Sequence, residues 1–125
     1  MRQILIVDDD DTLREVLVEY FESMGYGVME APNGRIALEK QMQHPADLVI
    51  TDLIMPEENG LETILEFQRR YPSLKIIAMT GSGHFGALED LNTATILGAD
   101  RTFSKPFHLE DMLKAVKELL NDSVS

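Results

Sequence analysis

The chain of 125 residues contains no cysteine and no tryptophan, and its 11 basic residues face 22 acidic ones. Without cysteine there is no disulfide, no thiolate metal ligand and no cysteine nucleophile. A formal charge of −11 argues against direct nucleic-acid binding, which needs clustered Lys and Arg against the phosphate backbone. It suits a protein that meets basic or mixed protein surfaces. Long apolar runs are missing too. Arg2 precedes only Ile4–Val7, which stops at the aspartates Asp8, Asp9, Asp10 and Asp11, far short of a signal-peptide core or a membrane helix. The expectation is a cytoplasmic protein without membrane insertion. Histidine is scarce, and His44, His84 and His108 stand apart from one another and read as solvated surface residues. There is no internal repeat, low-complexity stretch or internal linker.

What the chain does have is a rhythm. Hydrophobic residues make up 44% of it, and its length suits one domain with a core of its own. Strand and helix patterns alternate five times. Ile4–Val7 is a short continuous apolar run, as in a strand buried on both faces. Leu13, Val16, Leu17, Tyr20 and Phe21 then recur at helical spacing, and Gly25 supplies a C-terminal cap. Tyr26–Ala31 reads as a second strand, Pro32-Asn33-Gly34 as a turn, and Gly34–His44 as a weaker helix stopped by Pro45. Asp47–Thr51 reads as the third strand, Met55–Gly60 as a loop, and Leu61, Ile64 and Leu65 open a helix ending near Tyr71-Pro72. Lys75–Met79 reads as the fourth strand, and Gly81, Gly83 and Gly86 mark a loop. Ala87–Leu97 is a poor helix containing Asn92, Thr93 and Thr95, closed by Gly98. Arg101–Ser104 reads as the fifth strand, and Leu109, Met112, Leu113, Val116 and Leu120 stripe the last helix. The seven methionines fall mostly at core-like positions, Met55 beneath its loop among them. Five βα units with short connections predict an α/β, doubly wound (βα)5 domain. Asn121–Ser125 is a polar tail, either a natural end or the start of a linker.

The chemistry collects where strands end. In a parallel sheet all carboxyl ends share one edge, where such sheets bind ligands. Asp8 and Asp9 follow the first strand, Asp52 the third, Thr80 the fourth and Lys105 the fifth. Three carboxylates about 4 Å apart repel by roughly 1 kcal/mol per pair even in water, so the cluster calls for a cation. An oxygen-only donor set suits Mg²⁺ and not zinc. A carboxylate beside such a cation can attack phosphorus, and Asp52 is the best nucleophile because it stands alone on a central strand. Lys105 and the Thr80 hydroxyl would then neutralise the phosphoryl oxygens.

Blander readings compete at each position. Asp10 or Asp11 caps the first helix, and Asp8 and Asp9 alone are explained as well by a cap or turn. Thr80 alone reads as a turn residue and Lys105 alone as a solvated lysine; the conjunction carries the argument. Asp8, Asp10, Thr12 and Glu19 match positions 1, 3, 5 and 12 of a calcium-binding helix–loop–helix, but Leu13 stands where glycine is required and a strand precedes where a helix should.

Taken in order, Ile4-Leu5-Ile6-Val7-Asp8-Asp9-Asp10, Asp52-Leu53-Ile54-Met55-Pro56, Asn59-Gly60, Thr80-Gly81-Ser82 and Lys105-Pro106-Phe107 resemble the receiver domain of two-component response regulators. The resemblance runs from Met1 to about Asn121, so residues 1–121 are expected to be the receiver and 122–125 a tail. It implies a flavodoxin-like, five-stranded parallel sheet of order 2-1-3-4-5. By the same resemblance Asp52 is the phosphorylated residue. Asp8, Asp9 and Asp52, with the Ile54 carbonyl, hold Mg²⁺. Lys105 pairs with the phosphoryl group, the Lys105-Pro106 bond is cis, and Thr80 begins the switch. One position departs from the pattern: Thr102 stands where receivers carry a switching aromatic ring, with Phe103 beside it on the opposite strand face. Gly81 also replaces a commoner alanine or serine, which loosens the loop into a marginal fourth helix.

The implied function is a phosphorylation-dependent switch. A sensor histidine kinase or phosphotransfer protein donates to Asp52, and the surface around the fourth helix, fifth strand and fifth helix changes its affinity for a downstream target or a fused output domain. The domain assists its own phosphorylation and dephosphorylation but is not an enzyme in the ordinary sense. A Mg²⁺-dependent aspartyl-phosphate phosphatase is the competing class. It needs an acid/base aspartate two residues after the nucleophile, where this chain has Ile54. An unphosphorylated interaction module would be favoured only without the acidic pair, Asp52 or Lys105. A phosphorylation-linked dimer is compatible with the sequence, which names neither kinase nor output.

Overall fold

The first strand, β1 (Gln3–Val7), is buried from Ile4 onward, and β3 (Leu48–Asp52) is buried at every residue. No face of either strand is left to water, so helices must cover both sides. The computed structural model describes residues 1–55, 58–81 and 87–122. Pro56, Ser82, Gly83, His84, Gly86 and the end of the polar tail lie outside them. Five parallel strands form the main sheet: β1, β2 (Gly27–Ala31), β3, β6 (Lys75–Gly81) and β7 (Arg101–Lys105), in the order β2-β1-β3-β6-β7. Numbered among themselves, these five run 2-1-3-4-5, the flavodoxin-like order expected. Among the described residues no helix is long and apolar enough to cross a membrane.

Two apolar layers hold the helices to the sheet. On one face, α1 (Asp11–Ser23) and α5 (Leu109–Leu120) pack Leu17, Phe21, Met112 and Val116 against Ile4, Ile6, Ile50 and Met79. On the other, α2 (Gly34–Gln43), α3 (Gly60–Arg70) and α4 (Ala87–Leu97) place Ala37, Ile64, Phe67 and Ala94 over Leu5, Val7, Val49 and Ala78. Alternate residues of each strand thus feed opposite layers.

Local chemistry fixes where the helices begin and end. Asp10 caps α1, its carboxylate accepting from the Thr12 and Leu13 amides at 3.0 and 3.1 Å, and Asn33 caps α2 through the Ile36 amide at 2.9 Å. Gly25, at φ +95°, turns the chain out of α1 in a conformation that suits glycine. Gly60 answers a different need: a Cβ there would lie 2.5 Å from Leu53 Cα and 2.6 Å from the Leu53 carbonyl oxygen. Past α5 the chain is tied back to the far edge of the sheet. Asp122 accepts from the Tyr26 hydroxyl at 3.0 Å and from Arg2 Nε at 3.3 Å, while Arg2 Nη2 donates to the Leu120 carbonyl at 2.6 Å.

The sequence reading needs three corrections. The strands run further than their apolar runs, so Asp52 and Lys105 are the last residues of β3 and β7, and Thr80 lies inside β6. The expected loop after Asp52 contains a two-residue antiparallel ribbon, β4 (Ile54–Met55) with β5 (Glu58–Asn59). Of the methionines whose side chains are described, Met79 and Met112 are buried and Met29 packs against the core, but Met1, Met24 and Met42 are exposed, and the expectation for Met55 lies outside the described side chains.

Candidate functional site

Adjacent strands lie about 4.8 Å apart, so β7 runs about 10 Å from β3 with β6 between them. Only side chains projecting past the strand ends can bridge that distance, and Lys105 does. Its ammonium donates to Asp52 Oδ2 at 3.1 Å and to Asp8 Oδ2 at 3.0 Å, joining the ends of β7 and β3 to the residue that follows β1. Asp8 is fully buried and Asp52 nearly so. The other Asp8 oxygen, Oδ1, accepts from the Asp10 amide at 2.9 Å, which shapes the turn from β1 into α1.

The electrostatics follow from this burial. Desolvation pushes the Lys105 ammonium toward a lower pKa, but attraction to Asp52 and Asp8 and the hydrogen bonds to both outweigh it, so the pKa is raised. Lys105 therefore stays charged through the physiological range. Carboxylate oxygens of Asp8, Asp9 and Asp52 all lie within 4.8 Å of one another. Among the described residues the Lys105 ammonium meets two of these three carboxylates, and the donors of the cluster are oxygen alone. That donor chemistry fits a hard divalent cation such as Mg²⁺, which uses few protein ligands and keeps several waters. Asp9, unlike Asp8, is exposed, which leaves one side of the cluster open to solvent.

Thr80 is fully buried on β6, the strand between Asp52 and Lys105, and its hydroxyl has no hydrogen-bond partner among the described residues. An unpaired buried hydroxyl is costly. Ile54 opens β4 two residues after Asp52. The Lys105–Pro106 peptide bond is cis, as expected. On β7, Thr102 is half-buried, while Phe103 packs into the α1/α5 layer with its ring centroid 5.8 Å from that of Phe107. Phe103 thus faces away from the layer that holds α4. A cleft of about 440 Å³ opens beside Lys105, lined by Asp10, Leu13, Gly81, Pro106 and Phe107.

Sequence reasoning missed one residue here. Arg14 reads as an ordinary polar position on an amphipathic helix, yet its side chain is only 13% exposed. Its guanidinium donates to the Asp8 carbonyl at 2.6 Å, to Asp11 Oδ1 at 2.6 Å and to Glu30 Oε1 at 2.8 Å. The hydrogen bond to Glu30, with further help from Asp11, raises its pKa despite desolvation. The spacing of Asp11 and Arg14 is that of a helical ion pair. Nothing local announced Glu30.

A family model described as the response regulator receiver domain matches residues 4–117. The response regulator receiver protein CpdR of Brucella abortus is 36% identical over 121 residues, covering 96% of this chain and 98% of that one. Sporulation initiation phosphotransferase F of Bacillus subtilis is 34% identical over 118 residues, covering 94% and 93%. Among solved structures, the response regulator protein TrrA of Thermotoga maritima, in complex with Mg²⁺–BeF, superposes with a TM-score of 0.83 at 36% identity, covering 95% of this chain and 99% of that one.

Proposed function

The chain belongs to the response regulator receiver domain family, and on that premise we propose that it is a phosphorylation-dependent switch of two-component signalling whose phosphorylated residue is Asp52. The observation that carries the residue assignment is the bridge from Lys105 to both Asp52 and Asp8, with Asp9 alongside. Residues 1–121 form the working unit, in a cytoplasmic setting.

An Asp52 carboxylate oxygen attacks phosphorus as the bond from phosphorus to the donor's histidine nitrogen, or to the acyl oxygen of a small donor, breaks. The leaving nitrogen takes its proton from solvent, and Asp52 is left as a mixed anhydride. Lys105 moves its hydrogen bond from the Asp52 carboxylate to a phosphoryl oxygen, a charge-assisted contact that strengthens as charge accumulates there. Asp8, Asp9 and Asp52, with the Ile54 carbonyl, would hold Mg²⁺, which when bound neutralises the phosphoryl oxygens. Thr80 donates its unpaired hydroxyl to the remaining phosphoryl oxygen. The phosphorylated protein then presents a changed surface around α4, β7 and α5 to a downstream target or an attached output domain. A histidine kinase or phosphotransfer protein is the donor. The domain acts on its own phosphoryl group and not on a free substrate, since Ile54 offers no acid/base group two residues beyond Asp52.

Incubation with Mg²⁺ and acetyl phosphate should add a single acid-labile phosphoryl group, detected by mass, and Asp52→Asn should abolish it. An adduct that persists in Asp52→Asn would refute the assignment. Rapid multiple turnover of small phosphate esters would favour the phosphatase class instead.

A further inference from the structure

Arg14 lies outside the reaction just described, yet its guanidinium is held by three hydrogen bonds. Its planar fork meets three acceptors on three parts of the chain: the Asp8 carbonyl in the β1–α1 turn, Asp11 in the first turn of α1, and Glu30 on β2. Glu30 is itself held, since its backbone carbonyl accepts a hydrogen bond from Lys40 on α2. Its β2 position is in register with Ile6 of β1, and the Asp8 amide donates to the Ala31 carbonyl at 3.2 Å.

The Asp8 carbonyl belongs to the peptide that joins Asp8 to Asp9. A peptide unit is planar, so fixing its oxygen fixes the plane and the direction in which Asp9 leaves it. Asp8 has other anchors, in Lys105 and the Asp10 amide. Asp9 is exposed, and its side chain is bonded to nothing among the described residues. Its place relative to Asp8 and Asp52 is therefore set through its backbone.

We propose that Arg14 is a positioning residue for divalent-cation binding: its guanidinium, braced on Glu30, clamps the Asp8–Asp9 peptide so that the Asp9 carboxylate stands ready beside Asp8 and Asp52. This rests on the reading of those three residues as the Mg²⁺ site. The clamp needs the fork and not merely a charge, because an ammonium is a single point that cannot hold three divergent acceptors in one plane.

Two effects of removing Arg14 have opposite signs, which makes the proposal testable. If the guanidinium acted only as a nearby positive charge, Arg14→Ala would relieve repulsion and tighten Mg²⁺ binding. If it positions the ligands, binding weakens, by about 10- to 100-fold as for other groups that orient metal ligands from behind. Mg²⁺ alone is titrated into the unphosphorylated protein by calorimetry and by amide chemical shifts. The panel is wild type, Asp9→Asn, Arg14→Ala, Arg14→Lys and Glu30→Gln, each with a urea unfolding curve taken without Mg²⁺. Both Arg14 variants should bind Mg²⁺ at least tenfold more weakly. Glu30→Gln should weaken binding less, because the Asp8 contact survives. Wild-type affinity, or tighter binding, in a folded Arg14→Lys or Arg14→Ala would overturn the proposal, even if stability fell. Absence of Mg²⁺ binding by wild type, or full binding by Asp9→Asn, would instead sink the site reading beneath it. Should Arg14→Ala fail to fold, Arg14→Lys and Glu30→Gln carry the comparison.

Discussion

Replacing Thr80 by valine should make the unphosphorylated protein more stable while blunting its response to phosphorylation. Thr80 is fully buried and its hydroxyl lacks a hydrogen-bond partner among the described residues. An unpaired buried hydroxyl costs about 1–3 kcal/mol. Valine has nearly the same shape and puts a methyl group where the hydroxyl was, so the variant should gain about 1–2 kcal/mol. For a domain of this size that is a rise in Tm of about 3–8 °C. In urea the gain should appear as a later midpoint with an unchanged slope, since the surface exposed on unfolding is the same. Thr80→Ser is the control. It keeps the hydroxyl but deletes a buried methyl, and should lose about 1 kcal/mol. On phosphorylation the order reverses: wild type gains a hydrogen bond to a charged acceptor worth about 1.5–3 kcal/mol, and valine cannot. A Thr80→Val protein destabilised by 1 kcal/mol or more would refute the reasoning, because the hydroxyl would then be satisfied in the resting state.

Gly60→Ala should cost about 1–3 kcal/mol by overpacking and slow phosphorylation, because the new methyl meets the backbone of Leu53, the residue after Asp52; a change too small to resolve in urea would contradict that contact. Stability should also fall in alkali. The pKa values of Lys105 and Tyr26 are raised above 10.5 and 10.0, the latter to about 12, Tyr26 by burial first and then by its bond to Asp122. Groups that hold their protons more tightly when folded stabilise fully below those ordinary values and lose that contribution as pH rises through the folded ones. Urea midpoints should therefore drop between pH 10 and 12, less steeply in Tyr26→Phe, and equal slopes in the two proteins would count against the Tyr26–Asp122 bond. Thr102→Ala should leave acetyl phosphate reactivity intact and change stability by about 0.5 kcal/mol or less, as for other partly exposed positions; a large loss of target binding with normal phosphorylation would show that Thr102 relays the signal.

The site was legible because parallel strands convert a pattern scattered along the chain into one edge. Asp8, Asp52 and Lys105 stand 97 positions apart at their extremes, yet one ammonium touches both carboxylates. Apolar runs revealed the buried strands β1 and β3, and the cap of α1 was readable as Asp10 or Asp11 because its chemistry is local, whereas Asn33, read as a turn residue, caps α2. Strand ends were less so. Ladder hydrogen bonding continues into polar residues such as Asp52 and Lys105, where hydrophobicity has already stopped. The β4–β5 ribbon could not be read at all, because two residues have no periodicity. Arg14 was missed because its importance lies in where Glu30 and the Asp8 carbonyl sit, which only the assembled β2-β1 pair decides. The methionines were expected at mostly core-like positions, but residue type carries no information about which way a side chain points, and Met24 and Met42 are exposed.

The knot formed by Arg2, Tyr26 and Asp122 has a mechanical consequence. It pins the rear of α5 at the edge of the sheet opposite the acidic cluster, while the front of the helix follows directly on Lys105, Pro106 and Phe107. A rod held at its tail and tugged at its head swings instead of sliding. With 12 residues and a rise of about 1.5 Å each, α5 is a lever of about 18 Å, so a pull of about 1 Å at Lys105 tilts it by about 3°. The fulcrum is Asp122, and the travel is greatest in the first turn, around Leu109 and Glu110. Amide exchange in the phosphorylated protein should change there and stay constant near Leu120, and cutting the knot with Asp122→Ala should spread the change along the whole helix.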